Sequence, residues 1–216
     1  MEVTGSDGES EPRERYSFAI DVEHAKRLTD LRKKQRREMA DWVASLVEES
    51  NGGISRAEAR LRAQELRREL WPTHDQHVEA AVRQRLAEPD LAGPWEPLTG
   101  DEEEIVSLAG RGFGKNYPGF LAKRAYSLPV SLVLELRTAA VRVSEGPLAE
   151  LEALGLLYNS VTYSFEEFEK RNKLVKQVLS VPRIVRQGLE RYGPWPPDEH
   201  PPSSLAARMA AAAKEE

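Results

Sequence analysis

There is no cysteine anywhere in the chain. Disulfides, zinc–thiolate centres and thiol nucleophiles are thereby excluded. Nor is there an apolar run approaching the ~20 residues that a membrane-crossing helix needs. The first residues are acidic and polar rather than a basic-then-apolar leader, so the expectation is a cytoplasmic protein with no membrane partner. Excess positive charge is missing as well, since the formal net charge is −5. The molecule as a whole is therefore not a basic nucleic-acid binder, and any such binding has to come from a local patch.

Motifs for chemistry are equally scarce. Gly110-Arg-Gly-Phe-Gly-Lys115 approaches two phosphate-binding signatures and meets neither. A P-loop has four residues between its glycines and Ser or Thr after the lysine. Here Gly110 and Gly114 stand one residue too close, and Asn116 follows Lys115. A dinucleotide fingerprint needs a glycine where Lys115 stands. His74 and His77 have the spacing of two metal ligands on one helical face, but no third ligand of matching spacing is near. Polar residues at a helix start are the plainer reading. No nucleophile–base pair is recognisable. The expectations are no enzyme, no catalytic residue, no metal and no cofactor.

What is present is helical amphipathy, broken in two places by strand-like alternation. The expected fold class is mainly α, with one or two short strands pairing as an antiparallel ribbon and disordered termini. Residues 1–13 read as a disordered acidic tail. Residues 14–88 read as a strand plus helices. In Arg15–Ile20, Tyr16, Phe18 and Ile20 share one side. Asp21 is a good N-cap for a helix with stripes Val22, Ala25, Leu28, Leu31 and then Met39, Trp42, Val43, Leu46, Val47. The segment 32–37 between them is either a polar turn or the exposed middle of one long helix. Asn51-Gly-Gly53 ends this unit. Ser55 with Glu58 opens a charged helix to Leu70 with Ala57, Leu61, Ala63, Leu66 and Leu70 as its apolar set, and Thr73 with Gln76 opens another. Pro89, Gly93, Pro94, Pro97 and Gly100 make 89–100 a linker.

Residues 101–193 read as a second helical domain. Tyr126 and Leu128 alternate with Ala125 and Ser127 as a strand, Pro129 pre-sets the first helical turn, and Leu132, Val133, Leu136 and Ala140 share a helical face. Gly146-Pro147 breaks the chain. Leu148, Leu151, Leu154 and Leu157 form a stripe. Ser164 and Glu167 cap a helix bearing Phe165, Phe168, Leu174, Val175 and Val178. Ser180-Val-Pro182 opens a last helix with Ile184, Val185, Leu189 and Tyr192. Residues 194–216 read as a Pro-rich, then Ala-rich tail.

Two basic segments stand out. Residues 26–37 hold seven basic side chains and one acid, Asp30. Arg32, Lys33, Lys34, Arg36 and Arg37 are either a solvated helix face or a set of phosphate contacts. Residues 111–124 hold Arg111, Lys115, Lys123 and Arg124 and no acid, interleaved with Phe113, Tyr117 and Phe120. Such a mixture suits a nucleic-acid backbone or its bases, with an aromatic core as the alternative.

Lys123–Pro129 followed by Leu132, Leu136 and Ala140 resembles the strand and first helix of a ribbon–helix–helix protein, with Ser180–Tyr192 similar to its second helix. Residues 15–49 resemble another copy, with Tyr16-Ser17 matched to Tyr126-Ser127. A long segment separates the two helices of the 123–192 copy, where the family has a tight turn. The resemblance implies an antiparallel ribbon that enters the DNA major groove. Arg15, Ser17 and Ala19, or Lys123, Ala125 and Ser127, would then face the groove. It implies DNA as partner, and a homodimer or another protein as a possible second one. The function expected is a DNA-binding accessory or regulatory protein. The alternative is a non-enzymatic helical scaffold or adaptor acting through protein contacts.

Overall fold

The computed structural model describes residues 11–103, 121–158 and 162–193. Two nine-residue strands, β1 (Arg13–Asp21) and β2 (Leu121–Pro129), pair as an antiparallel ribbon within one chain. Each strand runs directly into a helix: β1 into α1 (Val22–Glu49) and β2 into α5 (Val130–Val143). Between them lie α2 (Arg56–Glu65), α3 (Arg67–Leu70) and α4 (His74–Leu86). After them come α6 (Glu145–Ala153), α7 (Phe165–Val175) and α8 (Val181–Arg191).

The Val130 amide donates to the Pro12 carbonyl at 3.0 Å, which joins the start of β1 to the end of β2. In an antiparallel ladder this register sets Tyr16 across from Tyr126 and Ser17 across from Ala125. The strand therefore begins at Arg13, and residues 11–13 belong to ordered structure rather than to the acidic tail. Inward positions alternate as a half-buried ribbon requires, with Phe18, Ile20, Tyr126 and Leu128 buried.

The two strand-to-helix junctions use different chemistry for one geometry. Asp21 is extended (φ −60°, ψ 138°), and its carboxylate accepts from the Glu23 amide at 2.7 Å. Pro129 takes nearly the same backbone (φ −54°, ψ 137°) without a side-chain cap. It is thus the last strand residue before the helix. Aligning Val22 on Val130 puts Phe18 on Tyr126, Ile20 on Leu128, Ala25 on Val133, Leu28 on Leu136 and Leu31 on Ala139. Every one of these ten is buried. The equivalence between the copies is therefore Phe18 with Tyr126. Matching Tyr16-Ser17 to Tyr126-Ser127 is off by two residues, because burial and not residue identity sets the register.

Contacts divide the described residues into two compact units. The first comprises 11–18, 86–103, 125–158 and 162–184. Its α5 buries Leu132, Val133, Leu136, Ala139, Ala140 and Val141. A cluster of Leu151, Leu156, Leu174, Val175 and Val178 joins α6 to α7. Buried Ser144 accepts from the Leu179 amide at 2.9 Å, and buried Arg171 donates to the Leu156 carbonyl at 3.0 Å. Arg142 holds the 96–102 segment through the Glu96 and Pro97 carbonyls and the Glu102 carboxylate. That salt bridge and a Thr99 backbone bond hold the Glu102 carboxyl well below its usual value, at about 2.

The second unit comprises 19–85, 121–124 and 185–193. Here α1 is one continuous 28-residue helix, so 32–37 is its middle and not a turn. Asn51 and Gly52 follow its end in the left-handed region. Val43, Ala59, Ala63 and Trp71 form a cluster with Trp42 and Met39 against it, and the Trp42 and Trp71 rings meet edge-on at 5.9 Å. A Cβ on Gly188 would stand 2.7 Å from the Ala81 carbonyl oxygen, so α8 crosses α4 at a distance only glycine permits.

Several expected core positions face solvent instead. Val22 is exposed, while Ile20 two residues before it is fully buried. In α2 the inward face is Ala59 and Ala63, which lets two backbones approach. Ala57 and Leu61 of α2 and Leu70 of α3 point outward, and the helix expected to run to Leu70 breaks at Leu66. Gly146 and Pro147 lie in the first turn of α6, where proline costs no hydrogen bond. Leu154 is exposed beside Leu151. Phe165 and Phe168 are 74% and 49% exposed, since α7 turns Arg171, Leu174 and Val175 inward.

Candidate nucleic-acid interface

Along β1, period-two alternation turns Arg13, Arg15 and Ser17 to solvent opposite the buried Phe18 and Ile20. Along β2 the same alternation turns Lys123 out and leaves Ala125 and Ser127 half-buried. Register places Arg15 across from Ser127. The Arg13 guanidinium donates to the Ser127 carbonyl at 2.7 Å, bracing that end of the ribbon. With the helix starts aligned, Arg15 corresponds to Lys123, Ser17 to Ala125 and Ala19 to Ser127. Both copies thus carry one long cation at the same outward position. Arg124 is exposed too, but it has the parity of Tyr126 and so belongs to the other face from Lys123. On that other face the Arg137 guanidinium carbon lies 5.8 Å from the Tyr16 ring centre. Burial and a hydrogen bond to Glu14 raise the Tyr16 pKa above its ordinary value.

The basic segment of α1 divides by helical geometry. Thr29, Arg32, Lys33 and Arg36 follow one face. They line a cavity of about 420 Å³ together with Arg67, Thr73, His74 and Asp75. Arg32 is the anchored member: it donates to the Gln35 side chain at 3.3 Å and to the Pro72 carbonyl at 3.4 Å. Burial, and then the positive charges of Arg67 and Arg36, push its pKa down. Lys33 pairs with Asp30 at 3.3 Å, and Lys34 with Glu38 at 3.9 Å. Lys34 and Arg37 are exposed and do not line the cavity. Arg111 and Lys115 lie outside the described residues.

His74 and His77 are each engaged with other partners. The His74 Nε2 faces the Leu28 carbonyl at 2.9 Å. Buried His77 lies between Gln35 and Tyr192, each 3.0 Å from one of its ring nitrogens. Among the described residues no group of three His, Asp or Glu side chains could hold a metal ion. Among them, too, no helix is long and apolar enough to cross a membrane.

Reasoning from sequence missed Arg13, Arg67, and the part of Thr29 and His74 in this cavity. The face Thr29–Arg32–Lys33–Arg36 follows from helical spacing alone. Arg67 does not, because only the chain reversal between α1 and α4 brings it there. Comparisons with protein-family models, with curated proteins and with solved structures find no match to this chain.

Proposed function

We propose that the protein is a DNA-binding accessory or regulatory protein. The outer face of its ribbon lies against the duplex, and the basic face of α1 contacts phosphates. The observation that carries this reading is the matched pair Arg15 and Lys123. Two strands of one chain present a long cation at equivalent outward positions, while Phe18, Ile20, Tyr126 and Leu128 on the opposite face are buried. Arginine and lysine are the side chains that most often read guanine in the major groove, each good bidentate contact being worth about 1–3 kcal/mol. Ser17 and Ser127 add small hydroxyl groups that accept or donate. Because one chain supplies both strands, the ribbon needs no second copy.

The test is a mobility-shift titration with a mixed-sequence duplex at low salt. The full chain binds, and Arg15→Ala with Lys123→Ala weakens binding while the circular-dichroism spectrum is unchanged. No shift at low salt with folded protein removes the reading.

A second reading is a helical adaptor that works through protein contacts. It is favoured by Phe165 and Phe168, two large apolar rings exposed on α7. Under that reading, Phe165→Ser with Phe168→Ser leaves DNA affinity untouched and abolishes partner capture.

A further inference from the structure

The cavity beside α1 collects like charges. Arg32, Lys33, Arg36 and Arg67 line it, and Asp75 is the one carboxylate among its lining residues. Among the described residues no ion pair reaches Arg32, Arg36 or Arg67, while Lys33 is occupied by Asp30. Three guanidinium groups from α1 and α3 thus share one hollow. The clustered cations repel, Arg32 among them is part-buried, and an anion joining them would relieve that repulsion. The other walls suit the same ligand. Thr29 and Thr73 bring hydroxyl groups. The hollow also takes in the first turn of the 13-residue α4, where the helix dipole favours negative charge. Arg32 is held in place from behind by Gln35 and Pro72, so it meets a ligand pre-oriented.

The lining also says what the ligand is not. No Phe, Tyr or Trp and no large aliphatic side chain lines the hollow, so nothing there grips a hydrocarbon chain. Planar guanidinium forks match phosphate oxygens two at a time. A volume of about 420 Å³ also exceeds what one ordered water or chloride needs.

We propose that Arg32, Arg36, Arg67 and the start of α4 form a phosphate-binding pocket. The phosphate comes either from a nucleic-acid backbone or from a free phosphorylated molecule. In the first case the pocket rests on the DNA reading above and adds Arg67 to it. In the second it stands without that reading.

Isothermal titration of the full chain with inorganic pyrophosphate, and separately with a short duplex, tests this. The variants are Arg36→Gln and Arg67→Gln, singly and together. Both residues are exposed, so the fold survives their loss. Arg60→Gln, on exposed α2 surface outside the lining, is the control and changes neither titration. Pyrophosphate binding that falls at least tenfold in the double variant, with duplex affinity unmoved, assigns the pocket to a free phosphorylated molecule. A matching fall in duplex affinity, with competition between pyrophosphate and duplex, assigns it to a backbone phosphate. Duplex binding that is absent from the wild type while pyrophosphate binds removes the DNA reading and keeps the pocket. The proposal is overturned if the wild type binds neither, or if the double variant and Arg60→Gln behave alike.

Discussion

Gln35 and His77, one on α1 and one on α4, are joined by a buried 3.0 Å hydrogen bond between the Gln35 amide nitrogen and the His77 Nε2. Arg32 fixes its direction. By donating to the Gln35 side-chain oxygen it turns the amide nitrogen toward the imidazole. His77 must then accept at Nε2 and donate from Nδ1 to the Tyr192 hydroxyl. The arrangement works only with a neutral ring, since a protonated ring would set two donors head to head.

Burial first, then the charges of His74 and Arg32, push the His77 pKa down to about 4. The unfolded chain takes up a proton near the ordinary 6.5, while the native state refuses it until about pH 4. Between those values the unfolded state holds more protons, so stability falls as the pH falls. The contribution is intact above pH 6.5, and roughly 2 kcal/mol is lost by pH 5. Nitrogen chemical shifts of the ring across this range check it. An imidazole that titrates at or above 6.5 contradicts the buried relay.

Gly188→Ala tests the crossing of α8 over α4. The added carbon meets the Ala81 carbonyl oxygen at 2.7 Å, a backbone atom that cannot swing aside. The helices must separate, at a cost of about 1–3 kcal/mol, read as a lower urea midpoint. A neutral result means that the crossing is looser.

Leu136 and Phe165 make an instructive pair. Leu136 is fully buried on α5, and its truncation to alanine costs about 2–5 kcal/mol. Phe165 has the larger side chain but is 74% exposed, so Phe165→Ala stays within about 0.5 kcal/mol. Paired denaturation curves decide, and equal losses would place Phe165 in a core.

The helix cap at Asp21 offers a smaller effect. Asp21→Ala removes the acceptor for the Glu23 amide and costs about 1 kcal/mol. Asp21→Asn keeps the acceptor and recovers most of it. Thermal melts of the two variants measure the difference.

Salt dependence separates phosphate contacts from the rest of the basic helix. On duplex DNA each neutralised phosphate contributes about −0.9 to the slope of log affinity against log salt. Lys34→Gln with Arg37→Gln, both exposed and outside the cavity, flattens the slope by roughly 1–2 if they touch the backbone. An unchanged slope marks them as an ordinary solvated face.

By itself the sequence determined the two strand-to-helix units. Alternation at Tyr16–Ile20 and Tyr126–Leu128, a cap at Asp21 and a proline at 129 are local signals, and local backbone sterics and hydrogen bonding act on them directly. Capping residues at Ser55, Thr73 and Ser164 were legible for the same reason. Tertiary packing decided what local pattern leaves open. It selected Ala59 and Ala63 over Leu61 as a contact face, because small residues let helix backbones approach. It turned Phe165 outward and Arg171 inward, and it fixed the repeat register at Phe18 with Tyr126. It also brought Arg67 to Arg32 and Arg36, and His77 to Gln35 and Tyr192. Those meetings join residues far apart in the chain, and no periodicity encodes a contact that exists only once the chain has reversed direction.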